Sequence, residues 1–401
     1  MSKQEKIILY TLAAINFLNI MDFMIMMPLG PQLMRILNIS PQQFGVIVSS
    51  YTFSAGISGF VTAFVIDRLD RKRSLTILFI GFVLGTFMCG FAWNYEVLIA
   101  ARIFTGLFGG VLGATIMAIV SDVIPLERRG HAMGVIMSAF SVASVFGVPF
   151  GFYIATHSDL GWHAPFIFLG ISGVPIWFLI QKYIPSISHH IKQDGHQNPL
   201  EILKAIGSNR NHLYALLMMM VLMMGHFSII PFLSPYMVSN VGFEESQLTY
   251  IYFIGGALTI FTSPYIGKLA DKKGKLKVFT LFVILSLVPI FGITNMPKIP
   301  IAYVLVVTAA FFVFSGGRFA PAQAMVTGSV DPKLRGSFMS ISSALQQLTA
   351  GFASYFAGTL VTKMPDGTLQ GYNYVGYIAI GFTLCSIFIA RQLKSFEGKP
   401  Y

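Results

Sequence analysis

Four ionisable residues stand in the middle of long apolar stretches: Asp22, Arg102, His226 and Arg318. The other acids among the 16 fall in polar loops or at the ends of apolar runs. A lone carboxylate in such surroundings can take up and release a proton, depending on burial and on nearby charge. An arginine adds a permanent charge on a planar fork suited to carboxylate or phosphate. A histidine can titrate near neutral pH, or simply hydrogen-bond a ligand. The set therefore suits proton exchange and the holding of a polar small molecule. It does not suit hydrolysis, because there is no paired carboxylate, no histidine cluster in an apolar run and no Gly-x-Ser-x-Gly. The stretches GLFGGVLGA and FIGGALT lack the Lys-Ser/Thr of a phosphate loop and read as sites of close helix packing. No enzyme activity, nucleotide, metal or other cofactor is expected.

The elements that must position these groups follow from composition. Hydrophobic residues make up 55% of the 401 and charged ones only 11%, against about 25% charged in soluble domains. No ordinary core hides that much apolar surface, so lipid must be the solvent. Cys89 and Cys385 lie in separate apolar runs without metal or redox spacing and read as packing residues. The opening MSKQEK leads straight into an apolar run with no small-residue cleavage site, so that run reads as a first span.

A membrane helix needs about 20 apolar residues. Twelve candidates satisfy this, at roughly 7–29, 44–66, 75–93, 97–121, 132–155, 163–184, 212–238, 247–270, 276–294, 300–325, 337–361 and 372–391. The longest break, 185–211, is polar and separates an N-terminal bundle, 1–184, from a C-terminal bundle, 212–401. With the N-terminus inside, 22 of the 27 Lys and Arg fall on inner segments, and only Arg35, Lys298 and Lys363 on outer loops. That bias places both ends in the cytoplasm. It also reads the net charge of +11 as a topology signal, which speaks against nucleic-acid binding.

The two halves repeat. Shifted by 204 residues, DFMIMMPLGP (Asp22 to Pro31) falls on HFSIIPFLSP (His226 to Pro235), and DRLDRKR falls on DKKGKLK. Both halves later reach a Pro and an Arg-Gly step, PLERRG and PKLRG. Charged loops recurring in register point to a transporter built from two parallel six-helix repeats.

These motifs carry a family resemblance. AFVIDRLDRKR between spans 2 and 3, GKLADKKGK between spans 8 and 9, and Arg102-x-x-x-Gly106 in span 4 resemble the loop and span motifs of the major facilitator superfamily. Ala63 and Asp70 stand where that family has glycine. Within it, the acidic first span is similar to that of bacterial drug- and sugar-efflux proton antiporters. GVPFG in span 5 is closer to arabinose and sugar exporters than to the usual antiporter motif. The resemblance implies an all-α membrane protein of twelve transmembrane helices in two pseudo-symmetric six-helix bundles. It also implies gating residues: Asp67 latching on span 11, Arg68 and Arg71 tied to Asp122 or to lipid phosphate, Asp271 with Lys272 as the repeat of that latch facing span 5 near His131, and Gly147 and Pro149 in span 5.

The four buried groups lie on spans 1, 4, 7 and 10, the helices that line the cavity in the superfamily. Asp22 lies ~12 Å below the outer end of its span and Arg102 ~8 Å, at 1.5 Å per residue, so they are placed to pair or compete. Asp22, with Arg102 and His226, is the expected proton-coupling set. Arg318, His226, Phe23, Phe227, Tyr51, Tyr236 and Gln323 are the expected substrate contacts. The expected function is proton-coupled export of small molecules, drugs or amphiphiles, by alternating access. The alternatives are a sugar or arabinose-type metabolite exporter, or an uncoupled facilitator of the same fold. Expected partners are the substrate, protons and the lipid bilayer of the inner membrane, with the protein acting as a monomer.

Overall fold

In lipid no water is at hand for backbone N–H and C=O groups, so an apolar run must satisfy them within its own helix. The computed structural model describes residues 2–62, 69–188, 199–331, 334–399 and 401. The first half runs α1 (Lys3–Ile25), α2 (Gly30–Ile36), α3 (Pro41–Thr62), α4 (Arg71–Gly90), α5 (Tyr95–Val123), α6 (Leu126–Val142), α7 (Val148–His157) and α8 (Ala164–Tyr183). The linker holds α9 (Pro199–Gly207). The second half runs α10 (Arg210–Phe227), α11 (Ile230–Tyr236), α12 (Leu248–Lys273), α13 (Lys275–Thr294), α14 (Ile301–Gly317), α15 (Phe319–Gly328), α16 (Arg335–Leu360) and α17 (Tyr372–Ala390).

Among the described residues, ten helical stretches are long and apolar enough to cross a bilayer. Helices α12 and α16 complete the twelve. Each has 26 residues, about 39 Å at 1.5 Å per residue, with more polar side chains along its length. The chain is therefore an all-α, twelve-span membrane protein, as its sequence led us to expect.

Four spans that read as continuous in sequence are interrupted, and proline explains where. The first span stops at Ile25 and resumes at Gly30, with Pro28 in the gap and Pro31 in the first turn of α2. The seventh stops at Phe227 and resumes at Ile230. Pro231 has no N–H for the Phe227 carbonyl, and the Ser354 hydroxyl, which also donates to the Ala350 carbonyl at 2.9 Å, shares its hydrogen with it at 3.3 Å. The fifth span widens into a π-helical turn, Ala143–Gly147, just before Pro149, a usual response to a missing donor. The tenth breaks at Arg318, ahead of Pro321.

The described residues form two compact units. One comprises Met1–Met26 and Ser50–Gln197, the other Met27–Ser49 and Asn198–Tyr401. In the first, α1 packs on α5, α6 and α8, and α4 on α5 and α8. In the second, α10 packs on α16 and α17, and α12 and α13 on α14. Residues Met27–Ser49 join the second unit through close contacts. A Cβ on Gly30 would meet Phe44 and Pro235 at 2.9 Å, and one on Gly45 would meet the Ser354 carbonyl at 2.9 Å. Arg35 and Glu245 form a bidentate ion pair there.

A small feature went unforeseen. Strands β1 (Thr362–Lys363) and β2 (Leu369–Gln370) pair antiparallel, with Thr362 opposite Gln370. The side-chain amide of Asn240 clasps the Leu369 backbone through two 2.9 Å hydrogen bonds.

Candidate functional site

In the first unit, the last turn of α1 presents Asp22 to α4 and α5. Arg102 Nη1 donates to Asp22 Oδ2 at 2.8 Å, and the Thr86 hydroxyl donates to Oδ1 at 3.1 Å. The acid is 0% exposed and the arginine 1%. Beneath the guanidinium lies the Tyr51 ring, 4.4 Å from its centroid. The Tyr51 hydroxyl donates to Asn19 Oδ1 at 3.1 Å, and Asn19 donates to the Gly109 carbonyl at 3.2 Å. Phe23 rests against Tyr51 with ring centroids 5.4 Å apart. Arg102 Nε has no hydrogen-bond partner.

Glycines make this closeness possible. A Cβ on Gly85 would stand 2.5 Å from Thr105 Oγ1, and one on Gly106 would run into the Tyr51 carbonyl. Helices α3, α4 and α5 thus approach backbone to backbone, as small residues allow in membranes. Around Gly147 and Gly151, α1 lies against the span-5 segment, where added Cβ atoms would meet Met21 within 3.2 Å. Cys89 is buried beside this cluster, its sulfur 3.8 Å from Thr105 Oγ1, whereas Cys385 on α17 is exposed.

In the second unit, Arg318 occupies the junction between α14 and α15. It is 0% exposed. Its Nε donates to the Ser315 carbonyl at 3.1 Å and its Nη1 to the Thr383 hydroxyl at 3.0 Å. Its Nη2 has no partner, nor do Ser315 Oγ and His226 Nδ1. The imidazole of His226 lies parallel to Phe311 at 5.9 Å and edge-on to Phe319 at 5.2 Å and Phe227 at 5.6 Å. Gly225 lets α10 approach α17, since a Cβ there would meet Thr383 Oγ1 at 2.7 Å.

The two clusters answer to the two repeats. One is an ion pair, closed on itself. The other is a cation with no carboxylate partner among the described residues. The Major Facilitator Superfamily model matches residues 12–316 and 215–395. The chain belongs to the Major Facilitator Superfamily.

Superfamily relatives match it over part or nearly all of its length. The uncharacterized MFS-type transporter YceJ of Bacillus subtilis is 23% identical over 368 residues, 90% of each chain. A protein named Probable sugar efflux transporter, from Mannheimia succiniciproducens, is 26% identical over 226 residues, 56% of this chain and 55% of its own. The crystal structure of a D-xylose-proton symporter superposes with a TM-score of 0.79 at 15% identity, covering 98% of this chain and 99% of that one. The protein is a superfamily membrane transporter and not an enzyme.

The remaining sequence-based candidates fall as follows. Arg71 Nε donates to Asp122 Oδ2 at 3.0 Å, in an ion pair with the arginine 7% exposed. Asp67 and Arg68 lie outside the described residues. Asp271 and Lys272 are exposed near the end of α12. Gly147 closes the π-helical turn and Pro149 follows it. Asp70, where the superfamily motif has glycine, caps α4: its carboxylate accepts from the Arg73 N–H at 2.9 Å and the Ser186 hydroxyl at 2.7 Å. Burial opposes ionisation of Asp70, but these hydrogen bonds outweigh it and hold the carboxyl below its usual range.

Tyr236 and Gln323 have partners outside both clusters. The Tyr236 hydroxyl donates to the Met296 carbonyl at 3.1 Å, and its ring lies 4.8 Å from that of Tyr372. It lines a recess of about 410 Å³ with Thr294, Asn295 and Gln370. Gln323 makes a long contact to Met339 Sδ, 3.8 Å. Sequence reasoning missed Asn19, Thr86, Ser315 and Thr383. Serine and threonine are too common in the spans to stand out by type alone.

Proposed function

We propose that this transporter is a proton-coupled exporter of small molecules, working by alternating access, with Asp22 as the group that takes up the proton. The supporting observation is the closed pair of Asp22 and Arg102, away from solvent and braced by Thr86. Protonating Asp22 removes half of a buried ion pair and leaves Arg102 uncompensated, which carries a large free-energy penalty. The proton and the pair therefore compete. A group whose two protonation states differ that much can shift a two-state equilibrium, provided one state favours the proton.

In this reading His226 and Arg318 contact the substrate. Residues 1–184 and 212–401 move as two bundles, and Arg71 with Asp122 steadies the gating loop. The Lys and Arg distribution supports an inner-membrane protein with both termini cytoplasmic. It is proposed to act as a monomer.

The test uses proteoliposomes loaded with a pH-sensitive dye. A panel of sugars and amphiphilic drugs is applied with and without an imposed pH gradient. A substrate should drive proton movement in the native protein, and Asp22→Asn should abolish it while leaving downhill exchange. Uphill transport at the native rate in Asp22→Asn refutes the reading. Transport indifferent to the gradient in the native protein supports an uncoupled facilitator instead. A second reading of the cargo, a sugar or related metabolite, draws support from relatives named as probable sugar efflux transporters.

A further inference from the structure

Some fully buried polar atoms of the second unit are idle. Arg318 has five N–H donors on a planar fork. Two are engaged, Nε with Ser315 and one Nη1 hydrogen with Thr383. The Nη2 group is unpartnered, and so are Ser315 Oγ and His226 Nδ1. Arg318 and Ser315 are each 0% exposed. An unmade hydrogen bond on a buried polar group is costly, the more so when the group is charged. A transporter that keeps three such atoms in one cluster has a use for them.

The supports show what shape of ligand fits. The Nε and Nη1 anchors fix the plane of the guanidinium, and both Nη2 hydrogens are left in that plane without a partner. Such paired, charged donors suit the oxygens of a carboxylate. Ser315 lies one helical turn beyond Phe311 on α14, so the two share one face of that helix. The aromatic side is built from Phe311, Phe319 and Phe227 around the His226 ring. Such faces take a flat, apolar body. Lysine or a metal would not explain the fork, and a cationic ligand would be repelled by it.

We propose that Arg318, Ser315 and His226 form a subsite for a planar monocarboxylate, an aromatic acid whose carboxylate seats on the Arg318 edge and whose ring lies among the phenylalanines. This deepens the exporter reading and rests on it. The incoming anion supplies the counter-charge that Arg318 lacks among the described residues, so the loaded subsite is neutral. His226 donates from Nδ1 to the ligand carboxylate in the tautomer that carries the proton there.

The test is equilibrium binding to the full chain in lipid nanodiscs, without any gradient, so that its outcome is independent of proton coupling. The probes are benzoate, benzamide and benzylamine. Benzoate should bind, and benzamide and benzylamine should bind at least about tenfold more weakly, the scale of a lost charge-assisted hydrogen bond. Arg318→Gln should weaken benzoate about tenfold or more. Arg318→Lys, which keeps the charge and loses the fork, should weaken it less. Ser315→Ala, a small change that guards against misfolding of the arginine variants, should weaken benzoate and leave benzamide alone. Equal binding of the three probes overturns the subsite, as does native benzoate affinity in both Arg318→Gln and Ser315→Ala. If benzoate binds as expected but Asp22→Asn still pumps uphill, the subsite stands and the coupling reading alone fails.

Discussion

The Tyr51 ring lies face-on beneath Arg102, 4.4 Å from the guanidinium carbon, while Asp22 holds the same guanidinium at its edge. One cation is thus shared between an acid and an aromatic face, and the two attachments can be removed separately. Tyr51→Phe keeps the ring but loses the hydroxyl bond to Asn19, and should lower stability by about 1 kcal/mol. Tyr51→Leu also removes the cation–π contact, worth ~0.5–2 kcal/mol. Thermal unfolding of both variants in detergent should rank native above Phe above Leu. Equal loss in the two would show that the ring face does nothing for Arg102.

Arg102→Gln leaves Asp22 buried without its partner. The expected cost is about 3–5 kcal/mol, the usual result of breaking a buried pair on one side. Asp22→Asn combined with Arg102→Gln removes both charges and should recover part of that loss. A double variant no more stable than Arg102→Gln alone would mean that the pairing is not the source of the cost.

Gly225→Ala places a methyl group 2.7 Å from Thr383 Oγ1. Thr383 must then move away from Arg318 Nη1, which it meets at 3.0 Å. Overpacking of this kind costs about 1–3 kcal/mol. The unfolding midpoint should fall accordingly, and Thr383→Ser in the same background should restore little, because the clashing hydroxyl is retained.

Arg35 pairs with Glu245, yet the arginine side chain is 63% exposed. Surface pairs are worth about 0–1 kcal/mol and weaken with salt. Arg35→Ala should therefore shift the unfolding midpoint only slightly, and the shift should vanish at about 1 M salt. A loss of several kcal/mol would show that the pair is coupled to the burial around Gly30 and Gly45.

Asp70 gives a pH-dependent outcome. Its folded-state pKa lies below the ordinary value, so its contribution is present above the unfolded pKa, about 3.9. The contribution is lost as pH falls through the lower, folded value. Asp70→Ala removes an N-cap and should cost ~0.5–2 kcal/mol near neutral pH. Acid titration of both forms, followed by unfolding, should bring the native protein down toward the variant. A gap that widens on acidification would contradict the capping role.

The spans were readable because lipid leaves the backbone few options. A matching depth for Asp22 and Arg102 was also readable, since residue count converts directly to height along a helix. The interruptions were harder. Pro28, Pro231 and Pro321 sit in apolar runs long enough to pass as unbroken, and only the structure tells where the freed carbonyls go. The hydroxyl partners were not readable at all. Thr105 and Thr115 bond back to carbonyls four residues earlier in their own helix, whereas Thr86 and Thr383 reach across to another one. Nothing in the identity of a threonine separates these two behaviours. Which one occurs depends on what the neighbouring helix presents.

The two cysteines end in opposite circumstances. Cys89 is sealed among α4 and α5 beside Thr105, and Cys385 stands on the open face of α17. Cys385 lies within a membrane span, so its open face meets lipid, and a water-borne maleimide reaches neither sulfur until the protein unfolds. The natural chain thus carries two internal reporters of unfolding, one in each unit, with no engineering of either.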